Sequence, residues 1–347
     1  MTLMQTIPAS ESRVGALVPA SSAWPELESQ LAVPLLRVVE QAAIACALTR
    51  GRGDAPLADQ AAVEAMRLAL HQIPMRGRIV IGEGERDQAP MLYIGERVGA
   101  WAKERRGLEV DIAVDPIEGT NLCAADAPGA LTVLAASERG GLLYAPDCYM
   151  EKIIVGPACR GAVNLDAPAG DNLRAMARRL NLGLDELAVT VLDRPRHASL
   201  IAAIRAAGAR VRLISDGDLA AGIAAALPDT GVHAVMGIGG APEGVLAAAA
   251  MRCLGGEILG RLVADTAPIE SRLICMGIAD ARRVYCTEDL ASGREILFAA
   301  CGVTAGRLLR GVRYAREGVR TQALLMTAGA NQIRFVETVH SAGRRDA

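Results

Sequence analysis

The chain has 347 residues, of which 51% are hydrophobic and 22% charged. That length allows one large domain or two ordinary ones with an ample core, and the composition excludes a disordered or collagen-like chain. A formal net charge of −2 and only 3% aromatic residues give neither the bulk positive field nor the stacking platforms that nucleic acid requires, so no nucleic-acid partner is expected. The basic residues are almost all arginine, with lysine only at Lys103 and Lys152.

Residues 1–24 are rich in Ala, Ser and Pro and read as a loose extension. They lack the basic region and apolar run of a secretory signal. The apolar stretch Leu31–Leu48 is interrupted by Arg37, Glu40 and Gln41, which predicts an amphipathic core helix over Pro34–Ala47 with the proline in its first turn, and no membrane partner. A second helix is predicted over Asp59–His71, with Asp59 as its cap. Strand patterns follow at Arg78–Ile81, Val110–Val114, Ala130–Ala135, Ala188–Leu192, Arg210–Ile214 and Val232–Met236. Between and after the last three, helices are predicted at Ala198–Ala207, Leu219–Ala226 and Pro242–Leu254. Alternating strands and helices point to an α/β architecture of packed sheets and helices. The eight cysteines form no CxxC pair and no zinc-ligand spacing, as expected of small buried hydrophobes in a reducing, cytoplasmic setting. The histidines at 71, 197, 233 and 340 follow no metal or triad pattern, and His197 reads as structural. No GxSxG elbow or Walker lysine is present.

The chemistry lies in carboxylates just beyond strand ends, among glycines. In GRIVIGEGERDQAP an apolar strand runs into Glu83 and Glu85; in DIAVDPIEGTN another delivers Asp115 and Glu118, then Gly119 and Thr120; in VMGIGGAPEGV a third leads through Gly240 to Glu243 at a helix start. Glycines let a backbone bend and approach a ligand closely, and the C-terminal edges of strands are where α/β proteins place their sites. Carboxylates converging there repel one another unless a cation lies between them. Oxygen-only ligands suit Mg²⁺ or Mn²⁺, which commonly share such ligands with substrate phosphates. Backbone amides near Gly119, Thr120 and Gly240 are candidates to hold that phosphate.

DPIEGT resembles the signature of the lithium-sensitive, metal-dependent sugar and inositol phosphatases. GRIVIGEGERDQAPMLYIGERVG, APDCYMEKIIVGP and GIGGAPEGV are similar to class II fructose-1,6-bisphosphatase, a likeness running from about Glu26 to about Arg334. ERDQAPMLYIGE and DPIEGTNL also resemble the cyanobacterial branch that acts on both fructose-1,6- and sedoheptulose-1,7-bisphosphate. The resemblance implies a layered αβαβα sugar-phosphatase fold with mixed sheets, assembled as a homodimer or homotetramer. It implies one domain over 25–347, with a metal and catalytic half over about 25–195 and a sugar-phosphate half over 196–347. The implied metal ligands are Asp59, Glu83, Asp115, Glu118 and Glu243, for Mg²⁺ or Mn²⁺. The implied substrate contacts are Glu118, Gly119, Thr120, Tyr149, Arg194, Arg196, Asp216, Asp218 and Gly240. Asp59, Glu118 and Thr120 are the implied catalytic residues, with Asp59 either orienting water or serving purely as a ligand. The activity expected is metal-dependent removal of the 1-phosphate; an inositol or nucleotide monophosphatase is the alternative.

Two positions depart from the family pattern. In GRGDAPLAD the family usually has lysine where this chain has Ala55, which loses a charge. In DRPRH a lysine is common at Arg194, and here the charge survives; Arg194 and Arg196 would form a fork for the non-reacting phosphate. Lys152, close to Tyr149 in YMEK, is open between a site role and a place on the surface.

Overall fold

The computed structural model describes residues 26–84, 91–278, 280–316 and 318–341. The expected extension at 1–24, and Glu85 with the rest of ERDQAP, lie outside the described residues. Helix α1 runs Glu26–Ala47 with Pro34 in its interior, not in its first turn. Pro34 has no N–H to give to the preceding turn, and that local break is what the sequence shows as a start. On length and apolarity alone α1 could cross a bilayer, but Leu31, Leu35, Val39, Ala42 and Cys46 are buried along one face of it in the protein core. Helix α2 runs Ala55–Leu70 and begins four residues earlier than expected. Asp54, not Asp59, is its cap: Asp54 Oδ1 accepts the Leu57 N–H at 2.9 Å, with Pro56 in the first turn. Asp59 is thereby carried one turn into α2.

The chain then builds part of a first sheet from β1 (Arg76–Ile81), β2 (Arg97–Val98), β3 (Glu109–Glu118) and, after the short α3 (Thr120–Ala124), β4 (Leu131–Glu138). It leaves to form a second sheet and its helices: β5 (Tyr149–Val155), α4 (Ala169–Leu180), β6 (Ala188–Leu192), α5 (Ala198–Ala206), β7 (Arg210–Ile214), α6 (Asp218–Ala226), β8 (Ala234–Gly240), α7 (Ala241–Leu254) and β9 (Glu257–Leu262). After α8 (Ala267–Cys275) and α9 (Thr287–Leu290) it returns to the first sheet with β10 (Ile296–Gly302), β11 (Arg313–Ala315), β12 (Gly318–Thr327) and β13 (Gln332–Ser341). The first sheet has the order β11-β12-β10-β4-β3-β1-β2 with β13 on β12, and the second β7-β6-β8-β5-β9. Both are mixed: β1 pairs parallel with β3, and β6 parallel with β7 and β8, among antiparallel neighbours. The sheets exchange between residues 138 and 149 and again between 262 and 296.

Strand periodicity distributes the core. Ile112, Val114, Leu134 and Ala136 face α1 and α2, while Ala113, Val133 and Ala135 face the other way. There they meet α7, whose Ala247, Ala248, Ala249 and Ala250 are all fully buried. Met150 and Ile154 of the second sheet reach the same cluster, whereas Ile153 and Val155 point to the outer cluster with α4 and α5. Small side chains let α7 fit between two sheets, and the result is the layered αβαβα arrangement that the family resemblance implies.

Candidate active site

Residues three apart on a regular strand point to opposite faces. Asp115 and Glu118 of β3 escape this because the register slips between them: Asp115 pairs with Val133 and Glu118 with Leu131. The extra residue is a bulge at Pro116–Ile117, which brings both carboxylates to one face. Asp115 Oδ1 accepts the Ile117 N–H at 3.1 Å, and Glu118 Oε1 accepts the Leu219 N–H at 3.0 Å from the first turn of α6. That turn carries positive dipole charge, which favours a carboxylate. Glu243 stands in the first turn of α7 behind Gly240, and a Cβ on Gly240 would collide with the Glu243 carboxylate. One oxygen from each of Asp115, Glu118 and Glu243 lies within 4.8 Å of the other two.

Around this triplet, Asp59 enters from α2, Glu83 from the loop after β1, Asp147 from before β5 and Asp216 from after β7. Together with Gly119 and Thr120 they line a cavity of about 260 Å³. The structure thus joins Asp59, Glu83, Asp115, Glu118, Gly119, Thr120, Asp216 and Glu243; Ala55, opening α2, is not among the lining residues. Asp147 was not foreseen. Its only sequence signal is an acid beside Cys148 in APDCYMEK.

Asp59, Glu83, Asp115, Glu118, Asp216 and Glu243 are each pushed toward the neutral form, burial being the largest cause. Burial, then Asp59 and Asp115, raises Glu83 to about 8. Burial and Glu243 raise Asp115, and burial with Asp115 and Asp218 holds Glu118 well above the usual range. Burial raises Glu243 as well, with Lys152 pulling the other way. Glu243 Oε2 is buried and has no hydrogen-bond partner among the described residues. An oxygen-only donor set, mutual repulsion and an orphaned buried acceptor fit a hard divalent cation.

A pH dependence follows. A carboxyl whose folded value is raised contributes full stability below its unfolded value of 4.5 and loses it as pH rises through the folded value, about 8 for Glu83. A bound cation cancels that loss. The gain in Tm on adding Mg²⁺ or Mn²⁺ is therefore expected to be larger at about pH 8.5 than at about pH 6. Equal gains by scanning fluorimetry at both would overturn this account.

Beside the cavity, Lys152 is only 2% exposed. Its Nζ lies 2.8 Å from Asp218 Oδ2 and donates to the Gly240 carbonyl at 3.1 Å. Burial opposes its charge, but Asp218, Glu243 and Glu118 outweigh it and hold the ammonium above the ordinary lysine value. A surface place for Lys152 is excluded.

Tyr149, Arg194, Arg196 and Asp218 do not line the acidic cavity. The two arginines are anchored separately: Arg194 Nη2 donates to the Ser215 carbonyl at 2.7 Å, and Arg196 Nη2 to the Ile238 carbonyl at 2.8 Å. The Arg196 guanidinium also lies 4.8 Å from the centre of the half-exposed Tyr149 ring, a cation–π contact. His197 is buried; its Nε2 accepts the Ile238 N–H and its Nδ1 donates to the Leu192 carbonyl, both at 2.8 Å. This uses both ring nitrogens, so its role is structural.

Residues 29–340 match the family of bacterial fructose-1,6-bisphosphatase, glpX-encoded. The chain is 52% identical over 334 residues to a D-fructose 1,6-bisphosphatase class 2/sedoheptulose 1,7-bisphosphatase of Synechococcus elongatus, covering 90% of this chain and 97% of that one. A protein of the same description from Synechocystis gives the same identity and coverage. One from Trichormus variabilis is 49% identical over 338 residues, covering 92% and 98%. With its converging carboxylates on the bulged DPIEGT strand and a match over nearly its whole length, the chain belongs to the class II fructose-1,6-bisphosphatase family.

Proposed function

We propose that the protein hydrolyses the 1-phosphate of fructose-1,6-bisphosphate to fructose 6-phosphate and phosphate, with sedoheptulose-1,7-bisphosphate as a second substrate. The observation that carries this is the Asp115–Glu118–Glu243 triplet with its orphaned Glu243 oxygen. These three residues, with Glu83 and Asp59 beside them, would hold Mg²⁺ or Mn²⁺. When bound, such a cation neutralises phosphate charge, lowers the pKa of water and stabilises the leaving alkoxide.

The chain's own residues do the rest. Gly119 and Thr120 face the cavity at the head of α3 and present their amides to the reacting phosphate. Asp59 and the Thr120 hydroxyl orient the attacking water, and Asp59 is the acceptor for its proton. Asp216 and Asp218 accept hydrogen bonds from sugar hydroxyls, Asp218 with its carboxylate fixed by Lys152. Arg194, and Arg196 braced on Tyr149, receive the distal phosphate, and Gly240 gives the sugar close access to the backbone. An assembly of two or four chains in the cytoplasm belongs to the same reading. Half-exposed Ile333, Phe335 and Val339 along β13 offer an apolar surface for it, and the free cysteines suit a reducing compartment.

The test is phosphate release from fructose-1,6-bisphosphate, sedoheptulose-1,7-bisphosphate and inositol 1-phosphate, with Mg²⁺ or Mn²⁺ and after chelation. Turnover of the bisphosphates that vanishes on chelation and returns with either ion is expected. Full turnover after exhaustive chelation, or preference for inositol 1-phosphate, would overturn the proposal.

A further inference from the structure

A second cavity, of about 230 Å³, adjoins the acidic one at Asp216, which lines both. Its walls are Leu122 of α3, Leu131 of β4, Ile214 of β7, Ala221 of α6, and Leu308 and Leu309 from the segment after β10. Four polar or charged groups interrupt this apolar lining: Thr190, Arg212, Arg307 and, at the end shared with the acidic cavity, Asp216. Thr190 is 1% exposed and its Oγ1 has no hydrogen-bond partner among the described residues. The Arg212 Nη1 is likewise buried and unpartnered, and Nη2 has only a long bond, 3.4 Å, to the Gly231 carbonyl. Among the described residues neither Arg212 nor Arg307 has an ion pair with a carboxylate. Burial first, then Arg307 and Arg210, works against the charge on Arg212.

A buried donor left unpaired costs free energy, as do two like charges brought together without a counter-ion. An anionic head group between Arg212 and Arg307, also accepting from Thr190, would satisfy both orphaned donors at once. The aliphatic walls would cover the body attached to it. We infer that this cavity is a binding site for a small organic anion, a sulfonate, phosphate or carboxylate on a compact apolar body, whose head group lies at the Arg212–Arg307 end and not among the catalytic carboxylates. The occupant would rest against α6, whose Leu219 N–H holds Glu118, so the site lies where it can influence the catalytic carboxylates.

The test uses benzenesulfonate, which carries no hydrolysable phosphate, titrated calorimetrically into the metal-free full chain, where the acidic cleft repels anions. Millimolar or tighter binding is expected, at least about tenfold weaker in Arg212→Gln. It should be lost in Ala221→Leu, which fills the cavity, and retained in Glu118→Gln. Inorganic sulfate, with no apolar body, should bind more weakly than benzenesulfonate. Bisphosphatase activity should persist in Arg212→Gln and Ala221→Leu, which shows that both variants fold. No heat of binding to the wild type, equal affinity in Arg212→Gln and Ala221→Leu, or equal affinity for sulfate would each overturn the inference. Because binding is read without metal or substrate, its failure is distinguishable from failure of the proposed hydrolysis.

Discussion

Glu118→Gln is expected to lower kcat by about a hundredfold or more and, at the same time, to raise the Tm of the metal-free protein. The two effects have one cause. Glutamine keeps the shape and still accepts the Leu219 N–H, but it removes a full negative charge from the site proposed to hold a cation. In the absence of that cation the charge is a burden, because burial and the neighbouring Asp115 and Asp218 oppose it. Relief of the burden should appear as roughly 2–4 °C for each kcal/mol regained, and should be larger at alkaline than at acid pH. Circular dichroism, scanning calorimetry with chelator, and phosphate-release kinetics measure all three. A near-normal kcat would remove Glu118 from the metal site. A lowered metal-free Tm would show that the protein itself stabilises this carboxylate.

Lys152→Met should have the opposite sign on stability. It leaves Asp218 buried without its ion-pair partner, and breaking one side of a buried pair typically costs about 3–5 kcal/mol. It also strips the acidic group of its nearest cation, so the carboxylates repel more strongly when metal-free. Lys152→Arg is expected to fail almost as badly. The ammonium fits between Asp218 and the Gly240 carbonyl at 2.8 and 3.1 Å, and a Cβ on Gly239 would already lie 3.0 Å from its Nζ. A planar guanidinium needs more room. The double variant Lys152→Met/Asp218→Asn should recover most of the lost stability by urea titration, without recovering activity. If the double variant is no more stable than Lys152→Met, the pair is not what the lysine serves.

The centre of the site was legible because its words are local. DPIEGT and APEG each place a carboxylate within a few residues of the strand end or helix start that presents it, so Asp115, Glu118 and Glu243 could be read in sequence. Asp59 came only through the family resemblance, while its helix start was misplaced: Asp54 and Asp59 are both plausible caps, and the decisive hydrogen bond from the Leu57 N–H to Asp54 is a matter of backbone geometry. Asp147 and the burial of Lys152 were not legible, because each depends on a partner from another strand or helix far along the chain. Strands β5, β9, β10, β12 and β13 went unpredicted for related reasons. In β10, Ala299, Ala300 and Cys301 are buried, yet these small residues carry no β-branched signal. The exchange of sheets was invisible because nothing near β4 says that its neighbour will be β10.

That last pairing sets an order of events for the chain during synthesis. Ser137 of β4 pairs with Ile296 of β10, so the inner edge of β4 stays unpaired while about 160 further residues emerge, which takes some 8–30 s at ordinary elongation rates. In that interval Glu243 joins Asp115 and Glu118, which are already made, and the second sheet can assemble, but the first sheet has an open edge. The start of α1 waits as well, since the Leu27 N–H donates to Glu295 just before β10. A nascent chain halted after β9 therefore carries the clustered carboxylates together with an exposed strand edge, which is prone to pairing with another chain. Arrival of β10, and not of Glu243, is the step that closes the inner edge of the first sheet.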